Sequence, residues 1–160
     1  EADGFRLGVV TVLGQQMMKI DSNPGFPQIG PCLDEMRESC DAFLVEMHAE
    51  TTSEKVAMGW YLDGRVAAVV GTHTHIPTAD ARILPRGTGY ITDAGMCGPY
   101  DSVLGRDIAP IVGRFLDGLP RKFTVAEANV RLCGVIFQAE AGKRGCLSFS
   151  PFCLDVPEEG

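Results

Sequence analysis

Apolar residues along this chain cluster in short runs, and the spacing within each run predicts its element. Residues 5–13 (FRLGVVTVL) are β-branched and closed by Gly14, which predicts a strand. Residues 15–30 are polar and rich in glycine and proline, predicting a long loop, and residues 31–39 follow as a predicted helix. Residues 42–47 (AFLVEM) are almost continuously apolar, the pattern of a strand buried on both faces. Thr51 and Glu54 have capping-box spacing ahead of a helical run to Tyr61, which stops at Asp63-Gly64. Residues 66–70 (VAAVV) predict another buried strand.

Strand, helix and strand over residues 42–70 make a β-α-β unit, whose right-handed crossover places the two strands parallel and close. Further on, residues 89–92 predict a short strand and 93–105 a glycine-punctuated loop, with a helix at 107–116. Residues 122–125, 130–139 and 145–154 alternate as antiparallel strands, the last two joined by a polar turn at 140–144. The expected class is α/β, a mixed sheet layered with helices.

The chain has three histidines, and they fall next to those parallel strands: His48 after the first, His73 and His75 after the second. Ligands of open α/β sheets gather at the carboxyl edge of the strands, so all three are expected to meet there. Neutral imidazole is the commonest transition-metal ligand, which makes a metal site the natural reading. On extended chain, residues two apart point the same way with Cα atoms ~6.6 Å apart, so His73 and His75 would straddle ions ~3.5–4 Å apart. Three imidazoles alone would also suit a single zinc with an open fourth position, whereas two metals need carboxylate and amide ligands as well. Glu46 lies two residues before His48, either as a further ligand or as a structural acid at the strand end. Glu50, Thr72, Thr74 and Asp93 are candidates to hold the imidazole rings in place. The loop containing Gly98, Tyr100 and Ser102 is suited either to cradling a phosphate or to forming a tight surface turn.

Charge narrows the possibilities. A formal net charge of −7 argues against a broad nucleic-acid or anionic-membrane surface, while bound divalent cations would supply the local positive charge an anionic substrate needs. No apolar stretch approaches the ~20 residues that span a bilayer, and no signal segment opens the chain, so a cytoplasmic address is expected. The six cysteines include no Cys-x-x-Cys pair and are read as buried reduced thiols. Cys97 has no unassigned histidine to activate it, and Gly-x-Ser-x-Gly is absent, which disfavours cysteine and serine hydrolase chemistry.

The blocks GTHTHIPTAD at 71–80, RILP at 82–85, GTGYITD at 87–93 and GPYDSVLG at 98–105 resemble the YmdB-like metallophosphoesterases of the calcineurin-like superfamily, as does HAETTSEK at 48–55. The resemblance runs from about Phe5 to Val135. It implies part of an α-β-β-α sandwich and a phosphodiesterase acting on cyclic nucleotides or related small phosphodiesters through a hydroxide activated by two divalent ions, iron, manganese, magnesium or zinc. Carried over by position, His48 and His73 bind one ion and His75 the other. The family's Gly-Asp, Asn-Gly-Glu-Asn and Gly-Asn-His blocks, which supply the remaining ligands and a histidine general acid, do not occur here. Residues 1–160 are therefore expected to be a single domain, the carboxyl-terminal part of such an enzyme, with no certain catalytic residue of its own and little activity alone. Self-association through an exposed sheet edge is a further expectation. The competing reading is a non-catalytic fragment that serves as a binding or assembly module.

Overall fold

The computed structural model describes residues 4–19 and 22–157; residues 20 and 21 of the predicted first loop lie outside it. In chain order the elements are β1 (Leu7–Leu13), α1 (Gly25–Met36), β2 (Ala42–His48), α2 (Thr52–Leu62), β3 (Ala68–Thr72), β4 (Arg82–Ile83), β5 (Gly89–Ile91), β6 (Gly98–Pro99), α3 (Ile108–Asp117), β7 (Val130–Ala139) and β8 (Cys146–Asp155). Strands β1, β2, β3 and β5 are parallel, and β4 closes the sheet antiparallel in the order β1-β2-β3-β5-β4. Strands β6, β7 and β8 form a second, antiparallel sheet. The mixed α/β class read from the sequence is the observed one.

Period-2 alternation in the central strands feeds two cores, one on each face. Phe43, Val45 and Met47 of β2 and Val69 of β3 pack with Ile29 and Leu33 of α1 and with Met58 and Leu62 of α2. The other face presents Ala68, Val70 and Ile91, which meet Val135 and Phe137 of β7 and Phe149 of β8. Helices, parallel sheet and antiparallel sheet thus stack as layers. The outer face of β7 and β8 leaves Leu132, Ile136 and Leu154 exposed, and none of α3 is buried. β1 pairs on one side only, with Val9 exposed.

Three elements differ from their sequence reading. Helix α1 begins at Gly25 and runs through Pro31 instead of starting there. Ile29 and Leu33, one turn apart, are both buried against the sheet, and their burial, worth ~1.5–3 kcal/mol each, offsets the ~3 kcal/mol cost of an interior proline. Residues 122–125 form no strand; Val125 makes an isolated bridge to Arg106. Thr51 stands at the N-cap of α2, but its hydroxyl bonds the Glu54 carboxylate (3.0 Å) and caps no backbone N–H. That carboxylate accepts instead from the N–H groups of Gln15 and Gln16, tying the end of β1 to the start of α2. Among the described residues no helix is long and apolar enough to cross a membrane.

Candidate metal centre

Register places the first two site residues side by side. His48 ends β2, Thr72 ends β3, and the two are direct partners across the parallel ladder, at the carboxyl edge. Glu46 precedes His48 by two and so shares its face, opposite Thr11 of β1. The side chains on that face form a continuous chain of hydrogen bonds. Thr11 donates to Glu46 Oε2 (2.8 Å), Thr72 donates to Glu46 Oε1 (2.8 Å), and His48 Nδ1 lies 2.9 Å from the Thr72 hydroxyl. Beyond, His48 Nε2 faces His73 Nδ1 at 3.1 Å, and His73 Nε2 meets Glu50 Oε2 at 3.0 Å.

For neutral rings this chain of bonds selects the tautomers. A carboxylate only accepts, so the Thr72 hydroxyl hydrogen is spent on Glu46 and its oxygen must accept from His48, leaving His48 protonated at Nδ1. By the same logic Glu50 holds a proton on His73 Nε2. In the neutral rings the two nitrogens that face one another therefore both carry lone pairs, with ring planes 80° apart and centroids 4.8 Å apart. Two lone pairs at that distance repel unless a cation lies between them. Imidazole nitrogens each ~2.0–2.1 Å from one ion and ligating near a right angle would lie about 3 Å apart, so this pair fits two ligands of a single metal. Both rings are about one-third exposed, which leaves the site open to solvent and ligand.

His73 and His75 do not lie on extended chain. β3 ends at Thr72, and the two histidines take left-handed φ values of 96° and 68°. The turn is imposed from below by a buried ion pair. Lys55 of α2 is fully enclosed and its Nζ lies 2.8 Å from Asp93 Oδ2. The same oxygen accepts from the N–H (3.0 Å) and hydroxyl (2.7 Å) of Thr74, the residue between the histidines, while Oδ1 accepts from Gly95 N–H (2.9 Å). Burial raises the Asp93 pKa, but the bonds from Lys55, Thr74 and Gly95 outweigh it and hold the carboxyl below its ordinary value. Gly71 allows the approach beneath: a Cβ there would sit 1.6 Å from the Thr92 carbonyl oxygen.

The structure accordingly joins His48 and His73, with Glu50 and Thr72 in contact with the rings as the sequence suggested. It separates His75, which is exposed on the same turn, and among the described residues no three His, Cys, Asp or Glu side chains gather into one metal-sized cluster. The single three-histidine site considered from the sequence is thus not formed. Thr74 and Asp93 hold the turn by hydrogen bonding to one another rather than to a ring. Gly98 pairs with Arg131 in β6, and Ser102 donates to Pro99 O (2.6 Å) and accepts from Gly105 N–H (2.9 Å), closing its own turn. Burial and a hydrogen bond with Cys133 push the Tyr100 phenol up to about 12, so it stays neutral. Lys55 was missed, although α2 buries Lys55, Met58, Gly59 and Leu62, a stripe in which one lysine interrupts the apolar positions.

Residues 1–151 match the family model described as YmdB-like protein. The chain is 46% identical over 140 residues to the 2′,3′-cyclic-nucleotide 2′-phosphodiesterase of Bacillus subtilis (strain 168), covering 88% of this chain and 53% of that protein. A crystal structure of a hypothetical protein from Thermus thermophilus superposes with a TM-score of 0.89 at 42% identity, over 98% of this chain and 60% of that one. A novel phosphatase from Mycoplasma pneumoniae superposes with a TM-score of 0.84 at 34% identity, over 92% and 52% respectively. The chain therefore spans a little over half the length of each.

Proposed function

The chain belongs to the YmdB-like protein family, and on that footing we propose that it carries the histidine half of a metal-dependent phosphodiesterase centre. The observation that carries the reading is the pair of ring nitrogens, His48 Nε2 and His73 Nδ1, 3.1 Å apart and held face to face by Thr72 on one side and Glu50 on the other. His48 and His73 would hold one divalent cation and His75, on the same turn, would serve a second. Such cations, when bound, supply Lewis-acid charge to phosphate oxygens and make a water nucleophilic at neutral pH.

The chain's own residues act by orientation. Glu46 and Thr72 keep the His48 proton on Nδ1, so that Nε2 stays available. Glu50 does the same for His73, and the Lys55–Asp93–Thr74 clamp fixes the backbone from which His73 and His75 project. All three histidines are taken up as ligands, so the proton for the leaving alkoxide comes from another group. The substrate class is a small phosphodiester such as a cyclic nucleotide, supported by the name of the Bacillus relative. The strong acidity of the chain agrees with cations, not side chains, neutralising the phosphate.

The test is a polypeptide that joins this chain to the remaining portion of its Bacillus relative. Hydrolysis of 2′,3′-cyclic AMP and of bis(p-nitrophenyl) phosphate is expected with manganese or iron, and its loss on chelation or in His48→Ala, His73→Ala or His75→Ala. Activity that persists in those variants would remove the assignment.

A further inference from the structure

Sulfur chemistry gathers elsewhere, on the inner face of the antiparallel sheet. Cys133 of β7 and Cys153 of β8 are direct cross-strand partners. Val156 N–H donates to Val130 O (2.8 Å), so Val130 and Val156 form a hydrogen-bonded pair. Such pairs alternate along an antiparallel ladder, and three steps on, Cys133 and Cys153 occupy a non-hydrogen-bonded one. Facing Cα atoms at those positions are ~4.5 Å apart, within the span a disulfide bridges without moving backbone. The two sulfurs already lie 3.1 Å apart. Among the described residues all six cysteines are free, but not all are buried as the sequence suggested: Cys97 and Cys153 are exposed, and Cys133 is enclosed.

We propose that Cys133 and Cys153 are an oxidisable dithiol, a modification site at which peroxide closes a reversible cross-strand disulfide. Cys153, the accessible sulfur, attacks peroxide as its thiolate: an S–O bond forms, the O–O bond breaks, and hydroxide leaves to become water. Cys133 then attacks the Cys153 sulfur, forming the S–S bond and breaking S–O, and its proton leaves with the departing hydroxide as a second water. Two thiols lose two electrons and two protons, and one peroxide becomes two waters. Burial pushes the Cys133 thiol up, against a hydrogen bond with Tyr100 that lowers it; being enclosed, Cys133 meets the Cys153 sulfur and not peroxide in solution. The Tyr100 hydroxyl lies 2.9 Å from the Cys133 sulfur, so closure changes a direct hydrogen-bond partner of the loop that carries Tyr100.

Cys97 is the internal competitor, since its thiol donates to the Cys133 carbonyl (3.3 Å). The folded chain is exposed to stoichiometric hydrogen peroxide, remaining thiols are alkylated, and non-reducing peptide mapping locates the product. Cys133 and Cys153 are expected to disappear together, about tenfold faster than Cys32, Cys40 or Cys146, with loss of two hydrogens from the intact mass and full reversal by dithiothreitol. The Cys97→Ser variant should behave identically, and Cys153→Ser should leave Cys133 reduced. A link through Cys97, or sulfinic acid at Cys153 beside a free Cys133, would overturn the proposal.

Discussion

Replacing Asp93 by Asn tests whether the buried ion pair holds the histidine turn. The substitution keeps the shape of the side chain and removes its charge, leaving the Lys55 ammonium enclosed without a counter-ion; the pair is 0% and 1% exposed. Breaking such a pair from one side costs about 3–5 kcal/mol. The amide also turns a donor toward Thr74 N–H or Gly95 N–H, each of which now bonds a carboxylate oxygen, so the upper part of that range is expected. For a chain of this size the melting temperature should fall by about 6–20 °C. Lys55→Met should cost less, near the lower end, because Asp93 retains bonds from Thr74 and Gly95. Trp60, the single tryptophan, sits on the same helix as Lys55 and reports unfolding in urea by fluorescence. An unchanged denaturant slope with a shifted midpoint isolates the stability term. A midpoint for Asp93→Asn within about 0.5 kcal/mol of the parent would refute the reasoning, since that is the scatter of neutral surface changes.

Further expectations follow from the same geometry. Thr72→Val removes the acceptor that fixes the His48 tautomer and should weaken zinc binding about 10–100-fold in a competition titration, with the fold retained by circular dichroism. Gly71→Ala drives a methyl group into the Thr92 carbonyl and should prevent accumulation of folded chain, measured as soluble yield; a stable Gly71→Ala protein would contradict the close approach. Asp93 and Asp80 both have folded pKa values below their ordinary 3.8; at each, burial opposes the shift and hydrogen bonds outweigh it. Their stabilisation is therefore whole above that ordinary value and is lost as pH falls through the lower folded values. Urea midpoints should decline only below about pH 3.8 from these groups, and a decline that ends above that value would count against them.

The meeting of His48 with the end of β3 was legible because it follows from periodicity and crossover hand: buried strands, a helix between them, and ligands at the carboxyl edge. The left-handed turn at His73 and His75 was not, since it depends on Asp93, which lies far along the chain and is steered by Lys55 from a helix on the opposite face of the sheet. The start of α1 was hidden for a related reason, because local proline chemistry gave way to burial of Ile29 and Leu33. Glu46 was visible as an acid on the right face, but its role came only with register, which sets it between two threonine hydroxyls and makes it an orienting group.

The central claim is that His48 and His73 turn unprotonated nitrogens toward one another to receive a cation. Nitrogen-15 NMR of the imidazole rings in the metal-free chain, followed by addition of zinc, tests it most directly. Protons on His48 Nδ1 and His73 Nε2 are predicted, with zinc shifting His48 Nε2 and His73 Nδ1 together. A His48 ring protonated at Nε2, or zinc shifts at the opposite nitrogens, would contradict it.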